Sequence, residues 1–138
     1  INRINNLLGT KKRRKILLCG LSFKGYPETK DYRGSITLVF FQLLKKNSNF
    51  KVFIHDPLFA PEEIQKLLGI NSENFNKNEN EYDCIIIMNN NKFYKNTDPQ
   101  IYSKLLKKDG IIFDYWSSLK NKFNKIKKLN RRSKYFEL

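Results

Sequence analysis

The sequence has little of what metal, redox or disulfide chemistry requires. Its 138 residues include one histidine and two cysteines, without a CxxC motif or a Cys/His ligand spacing, so no metal site is predicted. Cys19 and Cys84 each lie in a short apolar run, where cysteine behaves as a small buried hydrophobic residue, and both are predicted to be structural. The single histidine, His55, has no orienting partner in the sequence. A structural or rim role is therefore favoured over acid–base catalysis.

Long hydrophobic runs are also missing. The longest, such as Cys84–Met88, are only a few residues long, whereas roughly 20 apolar residues are needed to cross a bilayer. No membrane partner is expected, and the absence of a signal-peptide h-region makes a cytoplasmic location the default. The chain begins at Ile1 rather than at a methionine, which suggests that it was cut from a longer protein.

Acidic residues are scarce, but the excess of positive charge is confined to the ends of the chain. The formal net charge is +14, from 27 Lys and Arg against 13 Asp and Glu. Residues 1–15 carry six basic residues and no acid, residues 120–138 carry eight against Glu137, and residues 16–119 carry 13 basic and 12 acidic residues. The central part is nearly neutral, so nucleic acid is not an expected partner. A nucleic-acid or anionic-surface binding module that uses the basic termini is the alternative hypothesis.

Strand and helix patterns alternate along the chain. Short apolar runs predict four buried strands, at residues 16–19, 51–55, 82–88 and 111–114. Helix-start residues followed by apolar residues at helical spacing predict helices after Ser35, Pro61 and Asp98. Asp109-Gly110 is predicted to end the last of these. The helix after Ser35 has the clearest pattern, with apolar residues at Ile36, Val39, Phe40, Leu43 and Leu44. The alternation predicts a three-layer, doubly wound α/β fold with a mainly parallel sheet.

The chain is predicted to divide into three parts. Residues 1–14 would be the end of a preceding helical region and a linker, residues 15–118 the α/β domain, and residues 119–138 a basic tail that is helical in part. Leu119, Phe123 and Ile126 lie at helical spacing among the lysines of this tail. Docking of that apolar stripe on the domain is favoured over binding to an anionic membrane or nucleic acid.

Ligands of an open parallel sheet bind beyond the carboxyl ends of the strands, near the point where strand order reverses. The loop after the first strand is the richest candidate, because Ser35 opens a helix whose N-terminus attracts anions. In this loop, Lys24 and Arg33 are either contacts for a phosphate or uracil carbonyl or ordinary solvated charges, and Phe23 is suited to stack on a base. Asn89–Asn91, after the third strand, form either a ribose or base contact or a solvated loop.

The loop also has a recognisable pattern. Gly20-Leu-Ser-Phe-Lys24, then Asp31-Tyr-Arg-Gly-Ser35 and an amphipathic helix, resemble the G-L-[SA]-F-K…D-x-R-x-S signature that opens the C-terminal domain of the UDP-glucose/GDP-mannose dehydrogenase family. Asp56-Pro57 after the second strand and Asp83 at the third continue the resemblance, which covers roughly residues 15–118. A GxGxxG motif is absent, so NAD is not expected to bind here by that device.

The resemblance implies a Rossmann-like UDP-binding domain of an NAD-dependent UDP-sugar 6-dehydrogenase, which converts a UDP-sugar to a UDP-uronic acid for polysaccharide biosynthesis. It implies that Phe23 and Lys24 face the nucleotide sugar, with Lys24 toward the reacting end, and that Arg33, paired with Asp31, holds the loop and the nucleotide. NAD and the catalytic cysteine would belong to N-terminal and central domains outside this chain, and the central region would join full-length chains as a homodimer. The chain alone is therefore expected to bind UDP-sugar without oxidising it.

One position departs from the family pattern. Many members follow the last strand with Asp-x-Arg, whose arginine contacts the substrate, whereas this chain has Asp114-Tyr115-Trp116. Trp116 is therefore expected either to stack on the substrate or to belong to the core. The sequence does not indicate which sugar is used, and a stand-alone interaction domain with a decayed nucleotide site remains a third hypothesis.

Overall fold

The computed structural model describes residues 2–9, 13–46, 49–75, 79, 81–130 and 133–137. Five strands within them form one sheet: β1 Arg14–Cys19, β2 Phe50–His55, β3 Tyr82–Ile87, β4 Leu106–Asp114 and β5 Lys134–Glu137. The described helices are α1 Asn2–Leu8, α2 Ile36–Lys45, α3 Pro61–Leu68, α4 Lys92–Asn96, α5 Pro99–Leu105 and α6 Phe123–Leu129.

The strands of this sheet are all parallel and have the order β2-β1-β3-β4-β5. The chain moves outward in one direction from β1 to β2 and in the other from β3 to β4 and β5. Strand order therefore reverses between β1 and β3, where an open parallel sheet binds its ligands. The predicted α/β class and Rossmann-like architecture are confirmed.

Both faces of the sheet are buried, which explains why the strands have continuous apolar runs. In β1, Ile16 and Leu18 pack into the core that also receives α1, α2 and α3, while Leu17 and Cys19 pack into the core beneath α4, α5 and α6. Cys19 and Cys84 are fully buried, and burial raises the pKa of both thiols. Neither side chain is available as a thiolate nucleophile.

Helix starts agree with the sequence patterns at three places. The Ser35 side chain accepts the N–H of Thr37 at the start of α2, and the Asp98 side chain accepts the N–H of Gln100 at the start of α5. Helix α3 begins at Pro61 and is closed by Gly69, whose φ of 60° is the left-handed conformation that favours glycine.

Two assignments made from the sequence differ from the structure. Helix α4 was not predicted; it occupies residues 92–96, with Asn91 as its N-cap, and five residues are too few for a periodic pattern. Asp109-Gly110 was predicted to end a helix, but α5 ends at Leu105 and both residues lie within β4. The β3–β4 register shifts there, from Tyr82 opposite Leu106 to Cys84 opposite Ile111. Turn-forming residues thus mark a bulge rather than a helix end.

The two basic ends of the chain also contribute to the packed structure. Ile4 and Leu8 of α1 are buried, as are Leu119 and Ile126 at α6, so the apolar stripe of α6 packs on the domain. Strand β5 pairs with β4 and extends the sheet by one strand. The sequence did not indicate β5, because its four residues include two charged side chains. Ile1, Lys11 and Lys12 lie outside the described residues.

Asp83 ties the amino ends of three strands together. It is almost fully buried and accepts hydrogen bonds from Arg14, from the backbone N–H of Lys15 and from Lys107 at 2.7 Å. Burial alone would raise the pKa of Asp83, but these hydrogen bonds outweigh it and hold the pKa below the ordinary value. Asp83 therefore stabilises the edge of the sheet opposite the candidate site.

No helix in the described part of the chain is long and apolar enough to cross a membrane.

Candidate functional site

The loop after β1 is anchored by Asp56, which directly follows β2. The Asp56 carboxylate is 1% exposed and accepts the backbone N–H groups of Leu21 and Ser22, both at 2.8 Å, on one oxygen. Its other oxygen accepts the N–H of Leu58 at 2.8 Å. A buried carboxylate has enough lone pairs for all three donors. Asp56 thus fixes the start of the signature loop relative to the next strand.

Two asparagines after β3, Asn89 and Asn90, also bind this loop. Asn89 donates from Nδ2 to the carbonyl of Ser22 at 3.1 Å, and Asn90 accepts the N–H of Gly25 at 3.1 Å. Asn91 accepts the N–H of Phe93 and so caps α4. Asn89 and Asn91 are buried. Asn89 and Asn90 thus position the signature loop, a role that the sequence did not indicate, and Asn91 begins α4.

Glycine is required where the loop after β1 touches the asparagines after β3. A Cβ on Gly20 would lie 2.5 Å from Cγ of Asn89, and one on Gly25 would lie 2.6 Å from the backbone carbon of Asn90 and closer still to the nitrogen of Asn91. This turn packs against protein and is not open to a pyrophosphate. The residues of this turn therefore do not fit the pyrophosphate of NAD.

A backbone hydrogen bond joins the two halves of the signature. The backbone N–H of Phe23 donates to the carbonyl of Asp31 at 2.9 Å, which brings the two halves of the signature side by side. Lys24 Nζ lies 5.3 Å from the centre of the Phe23 ring, within cation–π range. Phe23 is 45% exposed, so its ring is accessible on the surface of the loop.

Asp31 and Arg33 form an exposed ion pair beside this hydrogen bond. Arg33 donates from Nε and Nη2 to the Asp31 carboxylate at 2.7–3.2 Å, and its own backbone N–H donates to the same group. The hydrogen bonds from the Arg33 side chain and backbone lower the pKa of Asp31 to about 2. The pair fixes the direction of the guanidinium and leaves Nη1 outside these bonds.

The N-terminus of α2 offers fewer free donors than the sequence suggested. The Ser35 side chain takes the N–H of Thr37, and the Ser35 carbonyl takes the N–H of Leu38. Because these first-turn groups are already paired within the helix, an anion bound here would depend mainly on the side chains of Lys24 and Arg33 and on the helix dipole.

Trp116 is 53% exposed and is not part of the core. Asp114 orients the turn that carries it, by accepting the N–H groups of Trp116 and Leu119 at 3.0 and 2.7 Å, and the Trp116 indole donates to the carbonyl of Met88 at 3.1 Å. The indole therefore presents its ring, and not its N–H, to solvent. It borders a hollow of about 390 Å³, lined by Ile36, Phe40, Met88, Tyr115 and Trp116.

A second hollow lies beside α4. Its volume is about 490 Å³, and it is lined by Glu28, Pro57, Leu58, Lys92, Phe93, Asn96 and Thr97. None of the signature side chains lines it. The first hollow is not lined by Lys24 or Arg33 either, but Trp116 borders it and Ile36 directly follows the signature in the chain. We therefore take the signature loop and Trp116 as the candidate site.

Comparison with known proteins gives the family. A model described as the UDP-glucose/GDP-mannose dehydrogenase family, UDP binding domain, matches residues 17–121, which is most of the chain. The chain belongs to this family. The residues matched include the whole signature, the asparagine loop and Trp116, and the recognition made from the sequence is confirmed. A search of curated proteins finds no significant match.

Solved structures show the same fold. A UDP-N-acetyl-mannosamine dehydrogenase, Cap5O from S. aureus, superposes with a TM-score of 0.65 at 16% identity, over 99% of this chain and 29% of its own. A UDP-glucose dehydrogenase from the archaeon Pyrobaculum islandicum gives 0.64 at 21% identity, over 99% and 28%. A super-repressor mutant of Gal80p from Saccharomyces cerevisiae gives 0.51 at 13% identity, over 85% and 32%. The chain spans less than a third of the length of each.

The structure brings together four of the five site residues predicted for this UDP-binding domain: Phe23, Lys24, Asp31 and Arg33. Trp116 lies on the turn after β4, beside the start of α2. Sequence reasoning did not foresee the anchoring roles of Asp56, Asn89 and Asn90. Asp-Pro after a strand was the available signal for Asp56, whereas the roles of the asparagines depend on β1 and β3 being neighbours. The described residues contain no group of three or more His, Cys, Asp or Glu side chains suited to hold a metal ion.

His55 has a structural environment in this domain. Its ring packs against Phe75 and Phe93, with centroids at 4.7 and 5.3 Å. The Tyr94 hydroxyl donates to the His55 carbonyl and lies 3.1 Å from Nδ1, so its oxygen accepts the Nδ1 proton. Burial lowers the pKa of His55 from 6.5 to about 4. The ring is therefore neutral at pH 7 and has no contact with the signature side chains.

We expect the stability of the domain to fall below pH 6.5 because of this histidine. The unfolded chain takes up a proton near 6.5, while the folded domain resists it until about 4. The stabilisation is complete above pH 6.5 and is lost as pH falls toward 4, with about 2 kcal/mol lost by pH 5. Urea unfolding at pH 7 and pH 5 measures this loss. The variant His55→Gln should have almost equal stabilities at the two pH values, and an equally steep loss in that variant would contradict the assignment.

Proposed function

We propose that this domain holds the UDP part of a UDP-sugar at the signature loop. The observation that supports this most directly is the backbone hydrogen bond from Phe23 to Asp31. It brings the segment with an aromatic ring and an ammonium beside the segment with a guanidinium, at the edge where strand order reverses. A nucleoside diphosphate offers a planar base and two anionic phosphates, the partners that such groups bind best.

The three groups would divide the ligand between them. Arg33 is held by Asp31 through Nε and Nη2, and its Nη1 hydrogens would donate to a phosphate oxygen. Lys24 would contribute a mobile positive charge toward the sugar end, while Phe23 would stack on a planar part of the ligand. Trp116, which offers a ring where many relatives offer a guanidinium, would pack on an uncharged part of the sugar or nucleotide.

The same proposal places the domain at the C-terminal end of a longer, cytoplasmic NAD-dependent UDP-sugar 6-dehydrogenase, which converts a UDP-sugar to a UDP-uronic acid in polysaccharide biosynthesis. NAD would bind an N-terminal domain, because the turn after β1 does not fit a pyrophosphate, and there it would accept the hydrides. The nucleophile would also lie outside this chain, since Cys19 and Cys84 are buried. The chain alone would bind UDP-sugar without oxidising it, and full-length chains would form a homodimer.

Titration calorimetry with UDP and UDP-glucose tests the binding site. Removing one charge-assisted contact costs about 1.5–3 kcal/mol, so Lys24→Ala and Arg33→Ala should each weaken binding by roughly 10- to 100-fold. Lys66→Ala is the matched control, because Lys66 lies in the last turn of α3, at the opposite end of the helix from the site. Equal affinity in all four proteins, or no saturable heat at about 1 mM UDP, would contradict the proposed site.

A further inference from the structure

The second half of the signature loop packs on the segment that follows β2. Lys30 donates from Nζ to both carboxylate oxygens of Glu63, in the first turn of α3, at 2.7 and 3.0 Å. The same ammonium lies 5.2 Å from the centre of the Phe59 ring. The Tyr32 ring meets Phe59 edge to face, with centroids 6.1 Å apart. We call these contacts between Lys30, Tyr32, Phe59 and Glu63 the α3 clamp.

The clamp holds the chain on both sides of Asp31. Lys30 directly precedes Asp31, and Tyr32 directly follows it and precedes Arg33. The anchors at the ends of β2 and β3 bind residues 21, 22 and 25, in the first half of the loop. The α3 clamp therefore restrains the other half, where the Asp31 carboxylate sets the direction of the Arg33 guanidinium.

The side of the clamp that receives the loop is itself fixed. Phe59 is buried, and its backbone N–H donates to the carbonyl of Asp56 at 3.3 Å. Glu63 accepts the N–H of Ala60 on Oε2 at 2.8 Å, which holds the carboxylate at the start of α3. The hydrogen bond from Lys30 and that from Ala60 lower the pKa of Glu63. The carboxylate is therefore charged at neutral pH and presents a fixed partner to the Lys30 ammonium.

We propose that Lys30 and Glu63 are positioning residues for UDP binding, because through the clamp they hold Arg33 in the direction that meets a phosphate. This inference rests on the proposed UDP site. The Lys30 and Glu63 side chains are 51% and 42% exposed, and an exposed ion pair contributes little to the stability of a whole domain. Its loss should loosen the loop locally while the domain stays folded. Binding then becomes weaker, because the ligand must also order Arg33.

Titration calorimetry with UDP on two neighbouring variants tests the proposal. Glu63→Gln keeps an oxygen that can accept the N–H of Ala60 and removes the charge that faces Lys30. Glu62→Gln is the matched control, since it removes the same charge from the same helical turn, and no ion pair among the described residues involves Glu62. The dissociation constant of UDP should rise roughly two- to fivefold in Glu63→Gln and stay unchanged in Glu62→Gln, with similar Tm values for both.

Two further comparisons separate a positioning role from a structural one. In an Arg33→Ala background, Glu63→Gln should leave UDP affinity unchanged, whereas in a Lys24→Ala background it should repeat its effect. Lys30→Arg keeps a cation for Glu63 and should keep the affinity, whereas Lys30→Met should lose as much as Glu63→Gln. Equal effects of Glu63→Gln in the two backgrounds, or unchanged affinity in the unaltered background, overturn the proposal.

Amide hydrogen exchange of the ligand-free chain measures the clamp without UDP. The N–H of Phe23 donates to the carbonyl of Asp31 at 2.9 Å, and the N–H of Ser35 donates to that of Tyr32 at 3.0 Å. Both should exchange at least about twofold faster in Glu63→Gln, with no change in the control. Faster exchange without UDP binding by any of the proteins contradicts the UDP site but not the clamp. Unchanged exchange with normal UDP binding overturns the clamp alone.

Discussion

Replacing Asp56 with alanine is expected to destabilise the domain by about 3–5 kcal/mol, because several buried backbone N–H groups lose their acceptor at once. The N–H groups of Leu21, Ser22 and Leu58 all point at this carboxylate at 2.8 Å, and the side chain is 1% exposed. Urea or thermal unfolding measures the loss, which corresponds to a fall in Tm of roughly 10–17 °C for a domain of this size.

The expected cost of Asp56→Asn is smaller. An asparagine oxygen placed where Leu21 and Ser22 donate keeps two of the three hydrogen bonds, and only the N–H of Leu58 then faces an amide group. Asp98→Ala is the control: Asp98 is exposed and accepts one N–H at the start of α5, so its loss should cost about 1 kcal/mol. Equal effects of Asp56→Ala and Asp98→Ala would show that Asp56 does not anchor the loop.

The conservative substitution Asp56→Asn should also weaken UDP binding. Asp56 lies outside the proposed contact residues, but it fixes the strand end from which Phe23 and Lys24 follow. We expect Asp56→Asn, measured well below its unfolding temperature, to bind UDP more weakly than the unchanged chain while it remains folded. Unchanged affinity would mean that the loop keeps its shape without the anchor.

Gly25→Ala is expected to have the second largest effect. The new Cβ would lie 2.6 Å from the backbone carbon of Asn90 and closer to the nitrogen of Asn91, and backbone atoms at the end of β3 cannot move aside as a flexible side chain can. The loop must separate from the asparagines and lose the Gly25–Asn90 hydrogen bond at 3.1 Å. Overpacking of this kind costs about 3 kcal/mol.

Gly34→Ala separates this steric effect from the general cost of replacing a glycine. Gly34 has a φ of +72° but nothing within 4 Å of an added Cβ, so alanine there should cost only about 1 kcal/mol of backbone strain. Thermal unfolding of both variants gives the comparison. If Gly25→Ala is no less stable than Gly34→Ala, the two loops are not packed together as described.

The sequence was sufficient where local chemistry decides structure. Ser35, Pro61 and Asp98 each mark the start of a helix in the structure. The side chains of Ser35 and Asp98 accept first-turn N–H groups, and Pro61 has no N–H that needs an acceptor. Continuous apolar runs marked four of the five described strands, because a parallel sheet is buried on both faces. The signature at residues 20–35 was enough to recognise the family that the comparisons confirm.

What the sequence by itself determined is therefore the α/β class, the family, and the loop that carries Phe23, Lys24, Asp31 and Arg33. Only the tertiary structure decided that β3 lies beside β1, so that Asn89 and Asn90 hold that loop, and that Asp109-Gly110 sits within a strand. It also decided which side of α2 is outside, since helical spacing reveals an apolar stripe but not its direction. The physical reason is common to all three: contacts between residues far apart in sequence depend on strand order and packing, which no local pattern encodes.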